Sequence, residues 1–585
     1  MIHNKRKKDL LEMVLKHGLD GYIVPSTDSW QNECPSAHHQ RLAWLTGFSG
    51  SNGVAIVTNS TCYFYTDSRY LVQARIQLGR GYEVLDMSEP SSCILSGCEG
   101  NLLGYDPMLF SVKTASYYKK WGKKNGIKLE QVSKNLVDTV WLDSPLKDAS
   151  QPYIIPSESE AQTKLNLVYQ GVHHRYTLLC RPESICWLLN VRASDLENTP
   201  VMLSYLLLDS IEKKGELFVD MLPDGPSSVN GMLGYFNSLN LECFGLDELM
   251  SRLCLFPSRA TCTVLSDFRF LPAALEETSR IFSPSGDISV FIDEPDPCLA
   301  MAAIKTPEEL ENIKQAHISD GLAVTKFMIW LYEQEMDSVD EITASRRLLE
   351  FRQRMPNFRG ESFPAISGYG ANGAIVHYRA SPETNKVIGR DSLYLIDSGG
   401  QYFYGTTDVT RTLCLGLPTF EQKAHFTAVL RGHMLLANAR FPPGTTGAQL
   451  DVLARYYLWQ ESLDYGHGTG HGVGYFLSVH EGPQSISRKN DVPLQVGMVV
   501  SIEPGLYLEG KYGIRIENLY VIKEWKNGYM RFEPLTMVPI NASLIDFYSL
   551  NDDEKEWIND YHDLVLMEIG KYLSEKETER LCKII

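Results

Sequence analysis

The sequence predicts a mixed α/β and α+β chain built from more than one domain. Three observations predict it. At 585 residues the chain is long enough for about three or four domains of about 150 residues each. Helix-like and strand-like runs alternate through the first 140 residues, as in α/β domains. Near residue 304 a strongly marked helix start opens a further region of strands and glycine-rich turns.

Residues 9–17 carry helical spacing, whereas 21–25, 53–58 and 62–66 read as short strands between Gly, Asn and Ser turns. Charged, turn-rich sequence at 143–159 predicts a linker. A second α/β region follows, with its strongest apolar runs at 184–190 and 201–208. The residues leave open whether the two regions share a fold. Thr306-Pro307-Glu308-Glu309 places Thr at a helix cap, Pro at the first helical position and Glu three after the cap. Ile313, Ala316, Ala323, Phe327 and Trp330 then recur at helical spacing. Trp557, Tyr561, Leu564 and Val565 mark a final amphipathic helix. No low-complexity segment or short tandem repeat interrupts this plan.

Composition narrows the function. With 44% hydrophobic and 22% charged residues, the chain is an ordinary globular protein, neither collagen-like nor disordered. Fifty-five Lys and Arg against 72 Asp and Glu give a formal charge of -17, which argues against nucleic-acid binding by bulk electrostatics. Apolar stretches such as 202–208 fall far short of the ~20 residues of a membrane span. Lys5-Arg6-Lys7-Lys8 imitates the start of a signal peptide, but Asp9, Glu12, Lys16 and His17 interrupt any apolar core, and a surface helix is expected instead. Twelve cysteines are scattered without a C-x-x-C pair, ten of them before residue 300 and only Cys414 and Cys582 after it. Reduced, mostly buried thiols in a cytosolic protein are expected.

The chemistry lies between 377 and 517. Leu393-Tyr394-Leu395-Ile396 leads into Asp397, and Val499-Val500-Ser501-Ile502 leads into Glu503. In 513–518 a period of two puts Ile514 and Ile516 on one face and Arg515 and Glu517 on the other. Asp408 follows Asp397 by eleven residues, across a turn containing Gly405. Between these segments sits Gly466-His467-Gly468-Thr469-Gly470-His471-Gly472-Val473-Gly474. Its glycines forbid the helix that an H-E-x-x-H zinc site needs. Four carboxylates and a histidine on adjoining strands, if they converge, would repel one another without a cation, and order and spacing alone do not establish that they converge. Two divalent ions would supply four positive charges against Asp397, Asp408, Glu503 and Glu517. An oxygen-rich set with one imidazole suits manganese or another hard to borderline ion. Two such ions about 3.5–4 Å apart can share a hydroxide and clamp a tetrahedral intermediate.

Asp397, Asp408, His471, Glu503 and Glu517 resemble, in order and context, the five metal ligands of the pita-bread metallopeptidases, family M24. Within it the chain is most similar to the three-domain aminopeptidase P (Xaa-Pro aminopeptidase) branch of eukaryotes. Supporting stretches are 47–51, 66–70, 190–195, 372–378, 405–411, 467–474, 479–483, 513–518 and 557–562. Departures are Ser68 and Ala193 where glycine is expected, Ser501-Ile502 in place of Thr-Asp, and a second region shorter than usual. None of them falls on a ligand.

The resemblance implies two creatinase-like N-terminal α/β domains, 1–142 and 143–303, and a pita-bread catalytic domain with a C-terminal helical extension, 304–585. It implies two Mn2+ per subunit, other divalent metals being possible, and a cytoplasmic homodimer acting on peptides, not on nucleic acid or membranes. Asp397 would hold one metal, Asp408 and Glu517 would bridge, and His471 and Glu503 would complete the second site. Glu503 would also be the general base or proton shuttle. His377 and His480 would bind substrate and stabilise the oxyanion, while His467 and Arg515 would orient ligands at the substrate site. Arg69, from the first domain, would bind peptide. The implied reaction removes the N-terminal residue from Xaa-Pro-peptides by attack of the bridging hydroxide on the scissile carbonyl. Its rivals are a prolidase-like Xaa-Pro dipeptidase, a methionine aminopeptidase and a non-catalytic pita-bread binding module. Gly368-Tyr369-Gly370-Ala371-Asn372-Gly373 spells G-x-G-x-x-G, but β-like residues 374–378 after it exclude a dinucleotide fingerprint. No G-x-S-x-G elbow or P-loop occurs.

Overall fold

Two six-stranded sheets of one plan make up the N-terminal part of the chain, in a computed structural model that describes residues 2–87, 102–146, 151–157, 160–220, 229–254, 263–281, 290–335 and 338–585. Across the first sheet the order is Glu83–Asp86, Cys62–Thr66, Val54–Thr58, Gly21–Pro25, Leu102–Tyr105, Lys128–Gln131. Across the second it is Leu241–Gly245, Lys214–Val219, Ser204–Asp209, Tyr176–Leu179, Thr263–Ser266, Val290–Asp293. In both, successive pairings run parallel, antiparallel, antiparallel, parallel, parallel. The shared order answers the question that the residues left open. Central strands such as Val54–Thr58 and Cys62–Thr66 are buried at every position, so they read as apolar runs rather than alternations.

The two lobes meet through equivalent segments. Val112 N donates to Leu271 O and Ala273 N to Phe110 O, at 2.8 and 2.9 Å. Lys113 N donates to Phe268 O and Ala274 N to Pro107 O, at 3.0 and 3.1 Å. Exchanging the segments exchanges the bonds, as a local two-fold axis requires. The helix expected at 9–17 runs over Ile2–Lys16, the apolar run at 184–190 is the helix Pro182–Leu189, and that at 201–208 contains the strand Ser204–Asp209. The expected linker at 143–159 lies partly outside the described residues, and Tyr153–Ile154 within it pairs with Val191–Arg192.

The chain divides into two units, Met1–Leu299 and Ala300–Ile585. The second opens with the helix Pro307–Tyr332. Thr306 Oγ1 accepts from Glu309 N at 3.2 Å, and the Glu309 carboxylate accepts from Thr306 N at 2.9 Å, the reciprocal cap that the sequence predicts. One sheet joins Phe358–Tyr369, Tyr394–Tyr402 and Gly405–Thr406, with Val409–Leu413 pairing on Tyr394–Tyr402. A second has the order Arg440–Phe441, Met530–Pro534, Asn518–Glu524, Val499–Ile502, Gly470–Gly472, Glu481–Ile486. A hairpin of Gly505–Leu508 and Tyr512–Arg515 completes the strands. The helices Phe420–Ala437 and Asp552–Ile569 bury Phe426, Leu430 and Tyr561 against Ile514 and Ile516.

Two local readings need correction. Asp397 does not end its strand but sits inside Tyr394–Tyr402, because that strand continues in pairing with Phe358–Tyr369. Residues 374–378 are not a strand. A 3-10 turn at Gly370–Ala374 follows the strand Phe358–Tyr369, and hydrogen bonds to Glu341 bend the segment. No long helix follows the glycines, so the dinucleotide reading stays excluded. Cys34, Cys62, Cys180, Cys186, Cys243, Cys298, Cys414 and Cys582 form no disulfide, and five of them are buried. Among the described residues no helix is long and apolar enough to cross a membrane.

Candidate metal centre

Five segments of the second unit carry the site. Asp397 lies on Tyr394–Tyr402, and Asp408 on the turn before Val409–Leu413. His471 is the middle residue of Gly470–Gly472, Glu503 follows Val499–Ile502, and Glu517 precedes Asn518–Glu524. The glycine before His471 has a steric reason. A Cβ on Gly470 would stand 1.9 Å from Ser501 O, so only glycine lets the His471 strand lie so close to its neighbour.

Asp408, His471 and Glu517 each offer a ligand atom, and these atoms lie within 4.8 Å of one another. His471 Nε2 is 3.4 Å from Asp408 Oδ2 and 3.5 Å from Glu503 Oε1. Its Nδ1 lies 2.9 Å from Gly472 O, which fixes the ring with Nδ1–H donating and Nε2 facing the carboxylates. Asp397 joins through a relay. Arg515 Nη2 lies 2.5 Å from Asp397 Oδ2, Arg515 Nε donates to Thr410 Oγ1 at 3.1 Å, and Thr410 Oγ1 donates to Glu517 Oε2 at 2.7 Å.

The electrostatics are those of crowded, buried carboxylates. Burial lifts the Asp397 carboxyl to about 6, with Arg515 opposing and Asp408 reinforcing the rise. Burial lifts Glu503 to about 7, against the pull of His471 and Arg515. Burial, Asp408, Glu503 and Asp397 together push Glu517 well above the usual carboxylate range. His471 rises to about 9, because Asp408 and Glu503 outweigh its burial. Asp397 Oδ1, Asp408 Oδ1 and Glu517 Oε1 are buried without a hydrogen-bond partner. Three such oxygens, in a cluster that also holds one oriented imidazole, fit divalent cations, since buried acceptors otherwise find donors.

The other predicted residues take these places. Arg515 Nη1 donates to Tyr507 Oη at 2.7 Å, and Tyr507 Oη donates in turn to His467 Nε2 at 2.8 Å. His467 Nδ1 stands 4.0 Å from Glu503 Oε2. The rings of His480 and His471 pack edge to face at 4.4 Å. His377 follows Val376, whose carbonyl lies 3.5 Å from Arg515 Nη2. Arg69, in the first unit, holds Asp67 with Nε and Nη2 at 2.9 and 2.8 Å and lies over the Tyr70 ring.

Three residues escaped the sequence reading. Ser501 Oγ accepts from His471 N at 2.9 Å and donates to Glu503 Oε1 at 3.2 Å, so a departure from the familiar pattern keeps a working hydroxyl. Thr410 and Tyr507 are the others. Strand alternation carried the signal for Thr410, which shares a face with Asp408 and with Thr412, whose Oγ1 accepts from Arg515 N. The hairpin register, Gly505 opposite Arg515, carried it for Tyr507.

Comparison with known proteins gives the family. The metallopeptidase family M24 matches residues 311–524, and the C-terminal region of that peptidase family matches 528–583. The creatinase/prolidase N-terminal domain matches twice, at 6–139 and 144–309. A probable Xaa-Pro aminopeptidase P of Laccaria bicolor is 35% identical, covering 95% of this chain and 89% of its own length. Aminopeptidase P1 of Arabidopsis thaliana is 34% identical, covering 97% and 96%. The crystal structure of an X-prolyl aminopeptidase from Caenorhabditis elegans, described as a cytosolic enzyme with a di-nuclear active site, superposes with a TM-score of 0.92 at 28% identity, covering 100% and 99%. The chain belongs to the M24 metallopeptidases, with two creatinase-type domains ahead of a pita-bread domain. Its full-length relatives within that family are aminopeptidases P.

Proposed function

We propose that this chain is an Xaa-Pro aminopeptidase that removes one residue from the N-terminus of peptides with proline second. The observation that carries the reading is the trio of partnerless buried oxygens on Asp397, Asp408 and Glu517, in a cluster where ligand atoms of Asp408, His471 and Glu517 lie within 4.8 Å of one another. Asp397, Asp408, His471, Glu503 and Glu517 would hold two divalent ions, and Mn2+ is the proposed metal. When bound, such ions supply positive charge that polarises the scissile carbonyl and acidifies water.

The chain's own groups do the rest. Glu503 takes a proton from the attacking water and delivers it to the departing proline nitrogen. That delivery matters because the bond before proline is a tertiary amide whose nitrogen carries no proton. His377 and His480 hold the substrate and the developing oxyanion. Arg515 and His467, linked through Tyr507, keep Asp397 and Glu503 in place. Arg69 is proposed as a peptide contact. Action in the cytoplasm is proposed on the likeness to the nematode enzyme, which is described as cytosolic, and a homodimer on the family resemblance alone.

Mass spectrometry of an Xaa-Pro tetrapeptide and an Xaa-Pro dipeptide, each incubated with the manganese-loaded protein, tests the reading. Loss of one N-terminal residue from the tetrapeptide supports it. Cleavage of the dipeptide alone would move the assignment to a prolidase-like dipeptidase. No cleavage of either, with metal bound, would leave a non-catalytic binding module.

A further inference from the structure

The glycine-rich stretch 368–373 binds no nucleotide, yet it is closely built. Glu341, the first residue of the helix Glu341–Gln353, is fully buried. Its carboxylate accepts from Tyr369 N at 2.7 Å, from Asn372 Nδ2 at 2.9 and 3.0 Å, from Tyr378 Oη at 2.9 Å and from Lys386 N at 2.9 Å. Its main chain adds two bonds, to Lys386 O at 3.0 Å and from Ser367 Oγ at 2.7 Å. Glu341 thus gathers the chain from 367 to 386 around itself, its carboxylate alone reaching from 369 to 386.

The glycines permit this wrapping. A Cβ on Gly368 would stand 2.8 Å from Gly373 N, and one on Gly513 would stand 1.8 Å from Gly373 O. His377 lies within the gathered segment, between Asn372 and Tyr378, both of which bond to Glu341. On the other side Val376 O meets Arg515, whose guanidinium also holds Asp397. The segment is therefore tied at one side to Glu341 and at the other to a proposed metal ligand's partner. Bonds to an ionised acceptor are stronger than neutral ones, and donors left without an acceptor in a buried site are costly.

We propose that Glu341 is the positioning residue for His377, its buried carboxylate setting the course of residues 369–378 and so the place of the imidazole against the substrate. The inference rests on the reading of His377 as a substrate contact. The test uses the metal-loaded protein as Glu341→Gln, His377→Ala and the double variant, with kcat/KM on an Xaa-Pro tetrapeptide, bound metal and thermal midpoint as readouts. Glu341→Gln keeps the volume but turns one acceptor into a donor facing donors.

Glu341→Gln is expected to lower kcat/KM about tenfold with bound metal unchanged, and to add less than about twofold once His377 is alanine, because nothing remains to be positioned. An equal loss in both backgrounds would overturn the proposal, as would a shifted midpoint with kcat/KM intact. If His377→Ala keeps full kcat/KM while the peptide is still cleaved, the reading of His377 falls and the proposal with it. If Glu341→Gln does not fold, Tyr378→Phe, which removes one donor from the same carboxylate, carries the same comparison with the same outcomes.

Discussion

Lys305 and Glu481 form an ion pair at 2.6 Å, with side chains only 1% and 5% exposed. Lys305 Nζ also donates to Ala302 O at 2.7 Å. Lys305→Met leaves the Glu481 carboxylate buried without its cation, which costs about 3–5 kcal/mol. At about 2–4 °C per kcal/mol for a domain of this size, the thermal midpoint should fall by roughly 10 °C. Glu481→Leu should fall by a similar amount, since the ammonium is then left uncompensated. Replacing both, as Lys305→Met with Glu481→Leu, removes both charges and should recover most of the loss. A residue of about 1 kcal/mol is expected, because Ala302 O loses its donor. Calorimetry or chemical denaturation of the four proteins gives the cycle. A single-variant shift under about 3 °C, or a double variant that falls as far as the two singles combined, would refute the reasoning.

Three further outcomes are expected. Burial and the nearby Arg411 hold His433 neutral down to about 3 and His562 down to about 4, against 6.5 for a free histidine. The unfolded chain therefore binds more protons below 6.5, so their contribution to stability is whole above that pH and fades as pH falls toward 4, by about 1.4 kcal/mol per pH unit for each histidine. Denaturation at pH 7, 6 and 5 should show that slope, reduced in His562→Gln, and a flat profile would contradict it. Arg515→Lys keeps the charge but loses the planar grip on Asp397, Thr410 and Tyr507, so metal affinity measured by equilibrium dialysis should fall about 10–100-fold. Ser501→Thr should keep activity because the hydroxyl remains, whereas Ser501→Ala should lose about 1 kcal/mol of transition-state stabilisation, read as kcat/KM.

Much of this architecture was legible because local signals and tertiary packing agree. Thr306-Pro307 starts a helix for reasons internal to four residues, and the capping bonds are there. The alternation in 513–518 separates Ile514 and Ile516, which enter the core, from Arg515 and Glu517, which face the site. Asp397 misled because a strand interior and a strand end look alike when Ser and Gly follow. Only pairing with Phe358–Tyr369 decides between them. The kinship of the two N-terminal lobes was hidden because strand order is a property of pairing, and unlike apolar runs serve the same slot in a buried sheet. Glu341 was invisible for a similar reason. Its donors lie 28 to 45 residues away in sequence, and no local pattern announces a carboxylate that gathers a distant turn.

Titration of chelated protein with manganese, following bound ions and release of the N-terminal residue from an Xaa-Pro tetrapeptide in one sample, tests the central claim most directly. The account predicts two ions bound per chain, with activity appearing as they bind. It also predicts weakened binding in Glu517→Gln and, in Glu503→Gln, loss of turnover by about 10²–10⁴-fold. Full turnover in the chelated protein, or undiminished turnover in Glu503→Gln, would contradict it.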